Sequence, residues 1–190
     1  MSPRAIIIHG WDGQPDTGWL GTLHQTLAQR GFLVTALAMP HPDRPTITDW
    51  VGTLSQAVGQ PDSQLVLVGH SIGCQTILRY LAQASAPIAG AILVAGFVTL
   101  QGLVTAEEKA IAAPWLETPI DPAAVKAHCR HCRVYLSNND TWVPLESNQK
   151  WFTKQLGAEV TVCNNAEHFM AGAGEQLVPE MAALANAWVK

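Results

Sequence analysis

Six short runs of aliphatic and branched residues are spaced along this chain, and most of the gaps between them carry apolar residues at helical spacing. The runs are Ala5 to Ile8, Leu33 to Leu37, Leu65 to Val68, Ala91 to Val94, Val134 to Leu136 and Val160 to Cys163. Each is nearly continuous in its hydrophobicity rather than alternating, as expected of strands covered on both faces in a parallel sheet. The helical stripes are Leu20, Leu23 and Leu27, with Gly31 placed as a stop; Trp50, Val51, Leu54 and Val58; Ile77, Leu78 and Leu81; and Leu177, Met181, Leu184, Ala185 and Trp188, behind Pro179 in a first turn. This succession predicts a doubly wound α/β architecture with right-handed crossovers. A length of 190 residues suits one domain with a large core, residues 1–190.

The rhythm breaks once, between Ala95 and Arg133. That stretch holds Gly96-Phe97-Val98-Thr99-Leu100, a short helical segment near Thr105 to Ala112, and Pro114-Trp115-Leu116. An excursion after a strand's carboxyl end is either a small cap or pocket wall, here 96–132, or a crossover with an ornamental loop.

Composition removes several classes of function. The chain is 48% hydrophobic and 14% charged, with eleven basic against fifteen acidic residues and a net charge of −4. No basic field is available for nucleic acid or an anionic membrane surface. The apolar runs are too short to span a bilayer, and the chain opens directly into a strand without a signal-peptide stretch, so a cytoplasmic location is expected. Four cysteines do not make a disulfide scaffold. His128-Cys129-Arg130-His131-Cys132 has the spacing of half a zinc site or of a redox pair, but no second zinc half follows, and the segment leads into a strand instead of opening a helix as a redox motif should. Structural cysteines and no metal are the expectation.

Gly69-His70-Ser71-Ile72-Gly73 lies between the strand Leu65 to Val68 and a helix expected from Cys74 to about Ala84. A G-x-S-x-G sequence in a strand–turn–helix setting lifts a serine hydroxyl clear of the sheet at the positive end of a helix. The glycines keep side chains away from a turn too tight to hold them. A serine needs a base, and in this arrangement the acid and the histidine follow in chain order, each just past a strand. Asp140 lies in Ser137-Asn138-Asn139-Asp140-Thr141-Trp142-Val143-Pro144, after the fifth run. His168 lies in Asn164-Asn165-Ala166-Glu167-His168-Phe169, after the sixth. Asp12, Asp121 and Glu167 are the rival acids. The oxyanion donors expected are the backbone N–H groups of Ile72 and of Trp11, the latter in His9-Gly10-Trp11-Asp12-Gly13 after the first run. His9 and His70 are read as bonding loop backbone, and His24 and His41 as surface groups. Trp19, Trp50, Trp151 and Trp188 are read as core or sheet-covering residues. Trp11, Trp115 and Trp142 are candidates for the walls of an apolar acyl pocket, with Phe97 a further substrate-pocket candidate and simple packing as the alternative.

With these residues in place, the chain resembles the small α/β-hydrolases of the retinoblastoma-binding protein 9 and YdeN type over essentially its whole length. The resemblance rests on His9-Gly10-Trp11, Gly69-His70-Ser71-Ile72-Gly73, Asp140 before Val143-Pro144, and His168-Phe169. It implies a three-layer α/β-hydrolase fold, a mostly parallel sheet of about six strands, a minimal lid, and a Ser71-Asp140-His168 triad. The substrate class implied is a small-molecule acyl compound, and no cofactor is implied. The Leu-x-Cys-x-Glu pattern for which the animal member was named does not occur here. Three functional expectations stand: hydrolysis of a small carboxylic ester or thioester, an amidase or aminopeptidase using the same triad, or a binding protein that keeps the fold without turnover.

Overall fold

The computed structural model describes residues 2–170 and 172–190. Its centre is a six-stranded sheet in the order β2-β1-β3-β4-β5-β6 with every pairing parallel. The strands are β1 (Arg4–Ile8), β2 (Leu33–Leu37), β3 (Leu65–His70), β4 (Ile88–Val94), β5 (Cys129–Ser137) and β6 (Glu159–Cys163). The helices are α1 (Trp19–Gln29), α2 (Ile47–Val58), α3 (Ile72–Leu81), α4 (Ala106–Glu117), α5 (Pro122–His128), α6 (Leu145–Trp151), α7 (Gly172–Glu175) and α8 (Val178–Trp188), with a wider π turn (Phe152–Leu156) prolonging α6.

Two apolar clusters sandwich the sheet, giving three layers. Trp19, Leu20, Leu23 and Leu27 of α1 and Met181, Ala182 and Ala185 of α8 cover Ala5, Ile7, Val66, Val68 and Ile92 on one face. Trp50 and Leu54 of α2, Ile77 and Leu78 of α3 and Val125 of α5 cover Ile6, Ile8, Leu65, Leu67 and Leu93 on the other. Alternate residues of the central strands thus feed opposite cores, which explains why their sequences read as unbroken hydrophobic runs. The edge strands differ: β2 and β6 contain no fully buried residue. No helix among the described residues is long and apolar enough to cross a membrane.

Several elements run longer than their sequence signals. β4 begins at Ile88 and β5 at Cys129, because parallel pairing of Ile88 with Cys129 carries both strands back through weakly apolar residues. Cys129 and Cys132 therefore lie within β5 itself, and all four cysteines are free thiols. The 96–132 stretch is the crossover between β4 and β5. It folds into α4, opened by a Thr105–Glu108 capping box, and α5, capped by the Asp121 carboxylate on the amides of Ala123 and Ala124. α4 continues through Pro114 to Glu117, and α5 carries too few apolar residues to declare itself in the sequence.

The strand order reverses direction between β1 and β3, whose ends pair at Ile8 and Gly69. A crevice opens at the carboxyl ends of such neighbouring strands, because their connections leave to opposite sides of the sheet. The loop after β1 and the turn after β3 meet there.

Arg79 ties the crossover to this frame. From α3 its buried guanidinium donates through Nη2 to the carbonyls of Trp115 (2.7 Å) and Thr118 (3.0 Å) at the end of α4. Replacing Arg79 by Met strands those carbonyls. Arg79→Met is expected to lower the unfolding free energy by about 1–3 kcal/mol and to speed hydrogen exchange in α4 more than in β3. Uniform exchange rates across both elements would show that Arg79 does not anchor the crossover.

Candidate active site

β3 ends at His70 and α3 begins at Ile72, so Ser71 alone makes the turn, at φ 53° and ψ −119°. Positive φ is costly for a residue with a side chain. Its amide donates to Val94 O (2.9 Å) and its carbonyl accepts from Cys74 N (2.9 Å), which fixes the conformation on both sides. The two flanking glycines are required by packing. A Cβ on Gly73 would stand 2.6 Å from Ile8 O and 2.7 Å from His9 O, and one on Gly69 would stand 2.9 Å from Cys74 N. Any side chain at Gly73 would push α3 off the end of β1.

Asp140 and His168 meet across the loops that leave β5 and β6. His168 Nδ1 donates to Asp140 Oδ2 at 2.7 Å, and both residues are buried. The second carboxylate oxygen accepts the amides of Trp142 (2.9 Å) and Val143 (3.0 Å). Burial pushes the Asp140 carboxyl up, but His168 and these two amides together outweigh it and hold the group below its ordinary value. Asp140 therefore presents a charged acceptor that fixes the proton on Nδ1 and leaves Nε2 with its lone pair.

Side chains of the β5 loop staple the two loops together. Ser137 Oγ accepts from Ala166 N (3.1 Å), Asn138 Oδ1 from Asn165 N (2.8 Å) and Asn139 Oδ1 from Glu167 N (2.8 Å). Asn165, Glu167 and Phe169 all have positive φ, so the His168 loop is held in a conformation that the chain alone would not prefer. The Phe169 ring anchors its far side in the core. These positioning groups were not legible beforehand. The polar run Ser137-Asn138-Asn139 read as an ordinary loop, and only its position opposite Asn164-Asn165 hinted at more.

His70 supports the same loop from below. Its Nε2 donates to His168 O at 2.9 Å, and its ring lies between Trp19 (5.8 Å) and His168 (5.0 Å). Burial, reinforced by the nearby His168, pushes its pKa down to about 4, so it is a neutral strut at ordinary pH. His9 behaves similarly. Nδ1 donates to Gly10 O (2.7 Å), Nε2 accepts from Met39 N (3.1 Å), and burial lowers its pKa. Both histidines bond loop backbone, as the sequence suggested.

A cavity of about 650 Å³ joins these parts. Ser71, His168 and His70 line it together with Gly10, Trp11 and Asp12 from the segment after β1, Leu100 and Leu103 from the crossover, and Trp142 from the loop after β5. The first part of the 96–132 crossover is thus a pocket wall. Among the hydrogen bonds of the described residues, none joins Ser71 Oγ to His168, and the two groups are related by facing one cavity. Catalytic contacts of this kind commonly tighten only when substrate is present. Around Trp11 the amides of Asp12 and Gly13 are already engaged by Pro42 O and Gly10 O, while that of Trp11 carries no such bond. The Ile72 amide opens α3 beside Ser71, where no intrahelical acceptor exists.

Two expected pocket residues lie elsewhere. Trp115 is fully buried, donating through Nε1 to Pro45 O (3.1 Å) and packing edge-on against Trp50. Phe97 is buried in the same core, its carbonyl taken by Gln75 Nε2 at 2.6 Å. Both belong to the packing that seats α3 and the crossover, and of the aromatic candidates Trp11 and Trp142 line the cavity. Among the rival acids, Asp121 caps α5, Asp12 lines the cavity from the segment after β1, and Glu167 is exposed. Among the described residues no group of three or more His, Cys, Asp or Glu side chains is arranged to hold a metal ion.

Comparison with known proteins shows the family and the fold. The model of the family described as serine hydrolase matches residues 5–186. The hydrolase YdeN of Bacillus subtilis is 30% identical over 182 residues, which covers 94% of this chain and 92% of that protein. Serine hydrolase RBBP9 of Rattus norvegicus is 25% identical over 170 residues, 87% of each. The crystal structure of the ydeN gene product superposes with a TM-score of 0.84 at 27% identity, covering 98% of both chains. Est1E from Butyrivibrio proteoclasticus with ferulic acid bound shares the fold, with a TM-score of 0.74 at 14% identity over 95% of this chain and 87% of that one.

The buried His70 makes stability depend on pH. In the unfolded chain its pKa returns to the ordinary 6.5, so between that value and about 4 the unfolded state binds more protons. The unfolding free energy should therefore fall on acidification through this window, with a limiting slope of about 1.4 kcal/mol per pH unit. His9 acts with the same sign, whereas Asp140 withdraws its contribution only below its ordinary 3.8. His70→Gln, which can still donate to His168 O, should flatten the profile measured by urea unfolding. An unchanged slope would show that His70 is not held neutral by the fold.

Proposed function

The chain belongs to the serine hydrolase family, and from that premise we propose that it cleaves small carboxylic esters through an acyl-enzyme on Ser71. His168 takes the Ser71 proton as Oγ attacks the carbonyl carbon. The amides of Trp11 and Ile72 receive the negative charge that develops on the carbonyl oxygen. The bond to the leaving oxygen then breaks as His168 returns the proton to it, and the acyl group remains on Ser71. Water attacks that ester with His168 again as base, releasing the acid and restoring the serine. Asp140 holds the imidazole tautomer and stabilises the imidazolium without taking its proton.

The observation that carries this reading is the buried 2.7 Å His168–Asp140 bond, in a cavity lined by a serine that the backbone forces outward. The walls narrow the substrate class. Asp12 and Glu108 are the carboxylates of the lining, which contains no lysine or arginine. The amides of Val104 and Thr105 hold Glu108 below its ordinary pKa, so it stays charged. An anionic acyl group would meet like charge in this lining, and uncharged esters fit better.

A fluorophosphonate probe should label the wild-type protein and leave Ser71→Ala unlabelled. Labelling that persists in Ser71→Ala would place the nucleophile elsewhere, and an unlabelled wild type would favour a binding protein that keeps the fold. Asp140→Asn should lower kcat by up to about four orders of magnitude with little change in KM, and a near-normal rate would remove Asp140 from the mechanism. Within a p-nitrophenyl series, the neutral butyrate should turn over faster than the succinate monoester of similar size. Equal kcat/KM values would discount the two carboxylates of the lining.

A further inference from the structure

In the mechanism just proposed His168 delivers its proton to the leaving oxygen, so the leaving group must lie within hydrogen-bonding reach of that imidazole. Two rings flank it. His70, 5.0 Å away, lines the cavity but is buried and committed through Nε2 to His168 O, so it offers a ligand little ring surface. Trp142 lines the same cavity, its ring centroid 5.1 Å from that of His168, and the residue is 45% exposed. Of the two rings beside His168, the indole is the one a leaving group can lie on.

Trp142 is held there by its own backbone. Its amide donates to Asp140 Oδ1 (2.9 Å) and its carbonyl accepts from Gln101 N (2.9 Å), so the acid and the crossover fix its position together. The indole buries little in return. Exposed large apolar side chains are unremarkable when scattered. Among the described residues they are Leu33, Val104, Trp142 and Met170, of which Trp142 and Met170 line the cavity. The segment after β1 adds Asp12, Gln14 and Thr17 beside Trp11, Trp19 and Leu20. An exposed apolar side chain that lines a cavity is a surface a ligand can cover.

We infer that Trp142 is the platform on which the leaving group stacks, and that the preferred leaving group is a flat aromatic alcohol rather than a short alkyl one. This rests on the hydrolase reading. It assigns Trp142 to the leaving-group portion of the cavity, because the indole stands beside the imidazole that protonates the departing oxygen.

The test uses 1-naphthyl acetate and methyl acetate, which leave the same acetyl group on Ser71. Trp142→Ala should lower kcat/KM for the naphthyl ester roughly tenfold more than for the methyl ester, and Trp142→Phe should recover most of that difference. Comparing ratios between variants cancels the unequal acidity of the two alcohols. Hydrolysis of the shared acetyl-enzyme, from which the alcohol has gone, should suffer far less than naphthyl ester cleavage. Equal losses on both esters, or an equal loss in acetyl-enzyme hydrolysis, would mean that Trp142 acts only through His168 and would overturn the inference. Binding of free 1-naphthol, followed by tryptophan fluorescence, separates this from the hydrolase reading. Binding that weakens in Trp142→Ala supports the platform even in a protein that turns over neither ester, and binding indifferent to Trp142 counts against it.

Discussion

A serine held at φ 53° between a strand and a helix sits outside the broad basins open to an L-residue, at a cost of about 1–3 kcal/mol. The surrounding structure leaves it no alternative. The Ser71 amide is committed to β4, and Gly73 is pressed against the last carbonyls of β1 so closely that α3 can leave in one direction only. From that single backbone constraint follow the outward hydroxyl, the free amide of Ile72 and the meeting of the β3 turn with the loop after β1. Two cores, one on each face of the sheet, supply the stability that offsets the strain.

Electrostatics at the site is organised by burial. Three histidines stand close together, yet only His168 is paired with a carboxylate. His9 and His70 are kept neutral by desolvation and act as neutral links between side chain and backbone. Had either carried a charge, it would have competed with His168 for the field of Asp140. Keeping them neutral leaves that carboxylate to act on a single imidazole.

The residues whose role depends on local order along the chain were legible in the sequence. The strand runs, the turn at Ser71, and Asp140 and His168 past successive strands all declare themselves through periodicity or motif spacing, and β2 ends where its apolar run ends. The residues that escaped depend on contacts between distant segments. Ser137, Asn138 and Asn139 look like any polar loop until parallel pairing of β5 with β6 brings the next loop alongside. Trp115 and Phe97 look like pocket walls because they lie in the irregular crossover. Their burial is decided by Arg79, Trp50 and Gln75, none of which is near them in sequence. Short α5 escaped for a different reason, since a seven-residue helix stabilised by a cap and a proline has almost no apolar stripe to read.

The staples between the β5 and β6 loops carry a consequence for how such a chain can vary. Each rung joins one residue of the first loop to one of the second, Ser137 to Ala166, Asn138 to Asn165 and Asn139 to Glu167. A residue inserted into or deleted from either loop would pull these partners apart, so the lengths of both are constrained jointly, and the positions of the carboxylate and the imidazole with them. Side-chain exchange along Leu100, Leu103 and Glu108 disturbs no rung. Divergence in what the cavity accepts has its freest outlet there, in a stretch that can be rewritten without touching proton transfer.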